Sequence, residues 1–248
     1  MKWVNGVISG FLGGFLGGVA GVGGGVVMIP LMTWLQKLTQ HQAHGTSLVA
    51  IAFSAAVGAA TYFGRGDVNW KASLLMAATA VFTARLGARY AHSLPEKKLK
   101  KAFGIFLIFA SVMLLVKSSL PAFGTNPSLW AAILLFLLIG AATGFLSGMM
   151  GVGGGAVMVP PMVIIGGMEQ HLAQGTSLLA MVPAATAGAI THYKLGNVRT
   201  DIMWGLAIGS LAGGFTGAST AALLPEPVLR SIFAGIGLVM SIRYLRSR

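Results

Sequence analysis

The run GVGGGVVMIP occupies residues 21–30, and GVGGGAVMVP occupies residues 151–160. Glycine fills all but the second of the first five positions in each. Inside a helix, glycine costs about 1 kcal/mol against alanine. A run this dense therefore marks a break, and Pro30 and Pro160 further disfavour an unbroken helix. Main-chain N–H groups in such a break have no side chains in front of them. A helix restarting beyond it adds its first N–H groups and the positive end of its dipole, a combination that attracts anions. The chemistry on offer is recognition of negative charge. Scattered glycines such as Gly13 and Gly17 are read as close helix packing, and the duplicated run as a functional turn.

A second polar element, GTS, stands at 45–47 and again at 175–177. Its hydroxyls either cap a helix start or bind a ligand oxygen. Two copies bring four hydroxyls towards one centre, which suits a small oxyanion better than a bulky apolar solute. His41 and His171 correspond, His44 has Gln174 as its counterpart, and His192 has Tyr62. These histidines could titrate near neutral pH and pass protons, or serve as polar groups at a membrane interface. Met28 and Met158 are read as packing, not as metal ligands. Asp67, Glu96, Glu169, Asp201 and Glu226 make up the acidic residues, and all fall in or near predicted loops. None is placed mid-helix, where proton relays and cation sites usually put one.

The elements that must position these residues are set by composition. Of 248 residues, 55% are hydrophobic and 9% charged, with mean hydropathy +0.81. A soluble domain has about a quarter of its residues charged. Apolar stretches long enough to cross a bilayer recur along the chain, so it is expected to be a polytopic membrane protein. The stretch 4–20 lacks the cleavage pattern of a signal peptide. There are no cysteines, which excludes disulfides, thiolate metal sites and cysteine nucleophiles. The net charge of +12 fits cytoplasmic loops of a membrane chain, and no nucleic-acid partner is expected. No GxxxxGK[ST] run is present, which argues against ATP hydrolysis. A serine hydrolase using Ser47 or Ser177 with His192 is a remote alternative, without a GxSxG elbow or an orienting carboxylate.

At one constant offset the chain aligns with itself. GFLGGVAGVGGGVVMIP (14–30) meets GFLSGMMGVGGGAVMVP (144–160), HQAHGTSL (41–48) meets HLAQGTSL (171–178), and AAVGAATYFGRGDV (55–68) meets ATAGAITHYKLGNV (185–198). Two homologous halves are read, 1–120 and 121–248, joined near LPAFGTNPS (120–128). The first half holds segments at 4–20, 26–37, 43–63, 70–92 and 97–117. The second holds 129–149, 156–167, 173–193, 201–223 and 228–244. The basic linker RLGARYAHSLPEKKLKK and the C-terminal RYLRSR both belong in the cytoplasm, which requires the halves to be inverted. Only Arg65, Lys71, Lys117 and Arg230 then fall outside. The expected fold class is all-α, with two inverted repeats. Each repeat is a broken helical hairpin plus three transmembrane helices, giving about 8–10 membrane segments. Inverted repeats with interrupted helices mark secondary transporters.

The paired GVGGGVVMIP and HGTSL motifs, with their repetition, resemble the TauE/SafE sulfite exporter family, also called the toluenesulfonate uptake permease (TSUP) family. The resemblance covers essentially the whole chain. It implies a cytoplasmic-membrane transporter, without enzymatic activity, for sulfite, organosulfonates or related sulfur anions. Carried over by motif, the substrate-facing positions are Gly21, Gly23, Gly24, Gly25, Thr46, Ser47, Gly151, Gly153, Gly154, Gly155, Thr176 and Ser177. His41, His44, His171 and His192 are candidates for proton coupling or for places beside the substrate. No cofactor or metal is expected. The expected partners are a small anion and membrane lipid, with self-association left open, and both termini are expected in the cytoplasm.

Overall fold

The computed structural model describes residues 2–116, 129–221, 223 and 225–246, and the described residues form helices and turns. The expected link at 120–128, with the boundary between the halves, lies outside the described residues. The first half contains α1 (Lys2–Ala20), α2 (Gly25–Leu35), α3 (Gln40–Phe63), α4 (Trp70–Ser93) and α5 (Glu96–Val116). The second contains α6 (Leu129–Met150), α7 (Gly155–Ile164), α8 (Gln170–Lys194), α9 (Thr200–Ala221) and α10 (Glu226–Arg246). Each half thus follows the order long, short, long, long, long.

Local chemistry explains the boundaries. α1 ends at the first glycine break, and α2 starts beyond Gly24, whose left-handed backbone (φ 83°) turns the chain back. With 11 residues, α2 is roughly 16 Å long, about half the apolar thickness of a bilayer. α3 starts earlier than the sequence suggests. The Thr39 hydroxyl accepts the Gln42 N–H at 3.3 Å, and the Gln42 side chain accepts the Thr39 N–H at 3.4 Å. That reciprocal capping box leaves residues 45–47 inside α3, so the GTS hydroxyls do not cap its start. Asn69 caps α4 by accepting the Ala72 N–H at 3.1 Å.

Small residues set the helix pairing. α1 lies parallel to α9, and α6 lies parallel to α4. A β-carbon added at Gly14 would stand 2.8 Å from the Ser210 Cα, and one at Gly18 would stand 2.8 Å from the Ala218 N. In the other pair, additions at Gly140, Gly144 and Gly148 would meet the Cα atoms of Met76, Ala80 and Ala84 at 2.5–2.8 Å. Between membrane helices, where lipid is as apolar as the side chains, such close approach is a main source of attraction. Both pairs join a helix of one half to a helix of the other. α3 and α8 run antiparallel through the centre. Tyr62, near the end of α3, donates to Gln174, near the start of α8, at 3.1 Å. Gly45, near the start of α3, faces Asn197 just beyond the end of α8.

Among the described residues, the helical stretches Trp3–Ala20, Gln40–Phe63 and Leu129–Met150 are long and apolar enough to cross a membrane by length and composition. The other long helices are of similar length, and α4 and α5 gather charges towards their ends while α9 is rich in Gly, Ser and Thr. All five tryptophans, Trp3, Trp34, Trp70, Trp130 and Trp204, are more than half exposed and lie towards helix ends. Indole rings favour the headgroup level of a bilayer, so their placement suits a lipid-embedded bundle.

The packing sets an expectation for stability. Gly14→Ile forces a branched side chain into backbone and should cost about 1–3 kcal/mol or prevent folding. Gly235→Ala, with nothing within 4 Å of its added carbon, should be neutral or stabilising by about 0.5–1 kcal/mol. Thermal unfolding of the detergent-solubilised chain measures both, and equal effects would contradict this packing.

Candidate functional site

The two glycine breaks meet in the middle of the bundle. A β-carbon built on either Gly23 or Gly153 would lie 3.1 Å from the Ile51 side chain, halfway along α3, and 3.3 Å from the other break's glycine Cα. The approach is reciprocal. Gly25 of one break faces the Gly151 carbonyl of the other, and Gly155 faces the Gly21 carbonyl. Gly21, Gly23–Gly25, Gly151 and Gly153–Gly155 are all buried. The structure therefore brings together the glycines selected from sequence, from both halves, at one place.

The break geometry leaves donors unused. Gly24 and Gly154 have φ of 83° and 102°, a left-handed conformation that side-chain-bearing residues rarely adopt. The Gly24 carbonyl accepts from Val27 and Met28 at 3.1 Å, and the Gly154 carbonyl accepts from Val157 and Met158 at 2.9 Å. Among the described residues, no acceptor engages the N–H groups of Gly23, Gly24, Gly153 or Gly154. Each short helix thus begins with uncommitted donors and the positive end of its dipole, at the level where α3 is half traversed.

The GTS hydroxyls tie the halves together. Ser47 Oγ lies 2.7 Å from the Gly151 carbonyl and 2.8 Å from that of His44. Ser177 Oγ lies 2.8 Å from the Gly21 carbonyl and 2.7 Å from that of Gln174. Each serine thus shares its single proton between its own helix and the opposite break. Thr46 Oγ1 donates to the Gln42 carbonyl at 2.6 Å and accepts the Arg199 N–H at 3.0 Å. Thr176 Oγ1 accepts the Asn69 N–H at 2.9 Å. The threonines hold the loops ahead of α9 and α4, each in the opposite half. In this arrangement all four hydroxyls face protein groups.

The histidines divide between the two ends. His41 Nε2 donates to the Ala91 and Leu94 carbonyls, both at 3.1 Å. His44 Nδ1 donates to the Met149 carbonyl at 3.1 Å, and its Nε2 lies 3.0 Å from the Gln40 side-chain amide. His192 Nε2 donates to the Gly148 carbonyl at 2.8 Å, and the Asn197 amide bridges the Nδ1 atoms of His192 and His92 at 3.2 Å each. His41, His44, His92 and His192 therefore share one end. His171 lies at the other, in the first turn of α8, the helix whose Gln174 accepts from Tyr62. His92 and Asn197 are not singled out by the sequence: His92 sits in the basic linker and Asn197 in a turn after α8, and only the fold brings them to His192. Neither Ser47 nor Ser177 is bonded to His192, so the hydrolase alternative lacks its dyad. At the same end, the Asp201 carboxylate bonds the exposed Arg199 guanidinium at 2.6 and 3.0 Å and raises its pKa.

The family model for "Sulfite exporter TauE/SafE" matches residues 6–244. The chain belongs to this family. Among its relatives are a "Probable membrane transporter protein YdhB" of Bacillus subtilis, 27% identical over 84% of this chain and 86% of that protein, and a "Probable membrane transporter protein" of Xylella fastidiosa, 29% identical over 82% and 77%. A third, "Probable membrane transporter protein YjnA" of Bacillus subtilis, is 25% identical over 90% and 92%. No solved structure matches the chain. The protein is accordingly a helical membrane transporter of the TauE/SafE family and not an enzyme.

The reciprocal serine contacts carry a prediction. Ser47→Ala and Ser177→Ala each leave a break carbonyl without its partner, and each should cost about 1–3 kcal/mol. Both serines are fully buried, so a change in thermal unfolding in detergent is the readout. Loss of only a few tenths of a kcal/mol would show that the ties are not needed.

Proposed function

We propose that this TauE/SafE family member is a secondary transporter of the cytoplasmic membrane that carries a small sulfur-containing anion such as sulfite, thiosulfate or an organosulfonate. The carrying observation is the pair of facing glycine breaks with uncommitted main-chain donors. Their N–H groups would replace part of the anion's hydration shell near the midplane. The candidate contacts are Gly21, Gly23–Gly25 and Gly151, Gly153–Gly155, with Thr46, Ser47, Thr176 and Ser177 bordering them. For an anion to enter, the seam between the breaks must part, and the serine ties across it are the bonds to exchange. The halves are read as inverted across the membrane, with both termini in the cytoplasm. The antiparallel run of the corresponding helices α3 and α8 supports that reading. His41, His44 and His192 at one end and His171 at the other are candidates for proton coupling.

The purified chain in liposomes tests this. Sulfite, thiosulfate, sulfate, sulfoacetate, taurine and simple carboxylates would be offered with and without a pH gradient. Saturable transport of at least one sulfur anion with trans-stimulation is expected. Transport of carboxylates alone would assign another small anion, and flux without trans-stimulation would indicate a channel. Gly154→Ala adds a methyl that meets chiefly the Thr143 side chain, whereas the same change at Gly24 meets the Gly13 backbone. Gly154→Ala is therefore the better variant, and at least a tenfold loss of transport is expected from the strained φ at the break. Full activity in that variant would refute the site.

The orientation has its own test. The chain has no cysteine, so single replacements report cleanly. A cysteine at Lys98 should react with impermeant maleimide only from the cytoplasm, and one at Arg65 only from outside. Labelling of both from one side would reject the inverted arrangement.

A further inference from the structure

The two breaks are not equivalent. In the first half, the face of α1 that meets the break carries Gly13 and Gly17. A β-carbon at Gly17 would stand 2.6 Å from the Gly23 carbonyl carbon and 2.8 Å from the Gly24 Cα, and one at Gly13 would stand 3.0 Å from the Gly24 carbonyl oxygen. There, backbone seals against backbone. In the repeat alignment, Thr143 and Ser147 of α6 take those two positions. Both are 1% exposed. Neither hydroxyl has a hydrogen-bond partner among the described residues. Both side chains lie against the second break, since a β-carbon on Gly154 would meet the Thr143 methyl and stand 3.6 Å from the Ser147 Cβ.

A buried hydroxyl without a partner is costly and uncommon. Most Ser and Thr hydroxyls within these helices return to a carbonyl three or four residues earlier, as at Thr61 and Thr186. Thr143 and Ser147 do not, although they occupy the same kind of helix. Both side chains pack against Gly154, whose own N–H is also uncommitted, so hydroxyl and amide donors are left over around the same turn. Unpartnered hydroxyl and amide donors around one turn fit a ligand with several bare acceptor oxygens on one atom.

We infer that Thr143 and Ser147, with the main chain of Gly153 and Gly154, form an oxyanion subsite on the second break that the first break does not possess. The inference rests on the transport reading above and deepens it. The anion would be held off the pseudo-symmetry centre, with its oxygens towards α6. Two hydroxyl donors suit sulfite, thiosulfate or a sulfonate, whose oxygens crowd one sulfur.

The test uses the full chain in liposomes, with sulfite, thiosulfate, sulfate and sulfoacetate as probes. Thr143→Val and Ser147→Ala remove the hydroxyls with little change of shape. Each should raise KM for the transported anion about 10-fold or more, the scale expected for losing a hydrogen bond to a charged group. Thr186→Val, on an exposed position whose hydroxyl bonds its own helix, should leave KM unchanged. Without any anion, the thermal unfolding temperatures of Thr143→Val and Ser147→Ala should stay level or rise, because an unsatisfied group has been removed. A fall in those temperatures would assign the hydroxyls to the fold and overturn the inference. Transport that is lost in Gly154→Ala but keeps its KM within about twofold in both hydroxyl variants would overturn the subsite alone. A wild-type chain that moves none of the four probes, or a fully active Gly154→Ala, would overturn the transport reading and the subsite with it.

Discussion

The structure depends on one constraint: main-chain polar groups within an apolar bundle need partners. Two glycine breaks lie buried within the bundle, where each uncompensated group is expensive. The fold answers by setting the interruptions face to face. Ser177 reaches the Gly21 carbonyl, and Ser47 reaches that of Gly151, so acceptors exposed by one break are bonded from the other half. The donors of the breaks are not answered in the same way. That imbalance, with acceptors satisfied and N–H groups left over, is the feature on which the proposed anion site rests.

Much of this was readable from residue types. The repeated glycine run announced two breaks, the short apolar stretch after each announced a half-length helix, and the constant offset announced corresponding elements. The helix order followed, and the family assignment agrees with the motif resemblance. The pairing of α1 with α9, and of α4 with α6, was not readable. Glycine at Gly10, Gly14 and Gly18 permits close approach without naming the partner. The role of the GTS segment was open for a related reason. A hydroxyl at the edge of a predicted helix looks like a cap, and only the Thr39–Gln42 box upstream moves the helix start and places Ser47 against the opposite break. Thr143 and Ser147 were visible as departures from the repeat, but a departure gains meaning only from what it touches.

The helices follow the same order in both halves, yet the ends of the bundle differ chemically. One end gathers His41, His44, His92 and His192 with Asn197, while the equivalent region holds Tyr62 and Gln174. Imidazole rings hydrogen-bonded to main-chain carbonyls are thus concentrated at one end. A framework with corresponding helices and unlike ends offers similar mechanical options on both sides and different chemistry at each.

The glycine ridges bear on how the molecule came to be one chain. Because α1 is seated against α9 and α6 against α4, each half on its own would present bare ridges with nothing to fill them. A polypeptide severed between Val116 and Leu129 would have to reassemble its pieces crosswise before either was complete, as two strands of rope gain their form only when wound. Covalent linkage keeps the two pieces at equal dose and high local concentration, and it frees each to drift apart in sequence while the other preserves the fit.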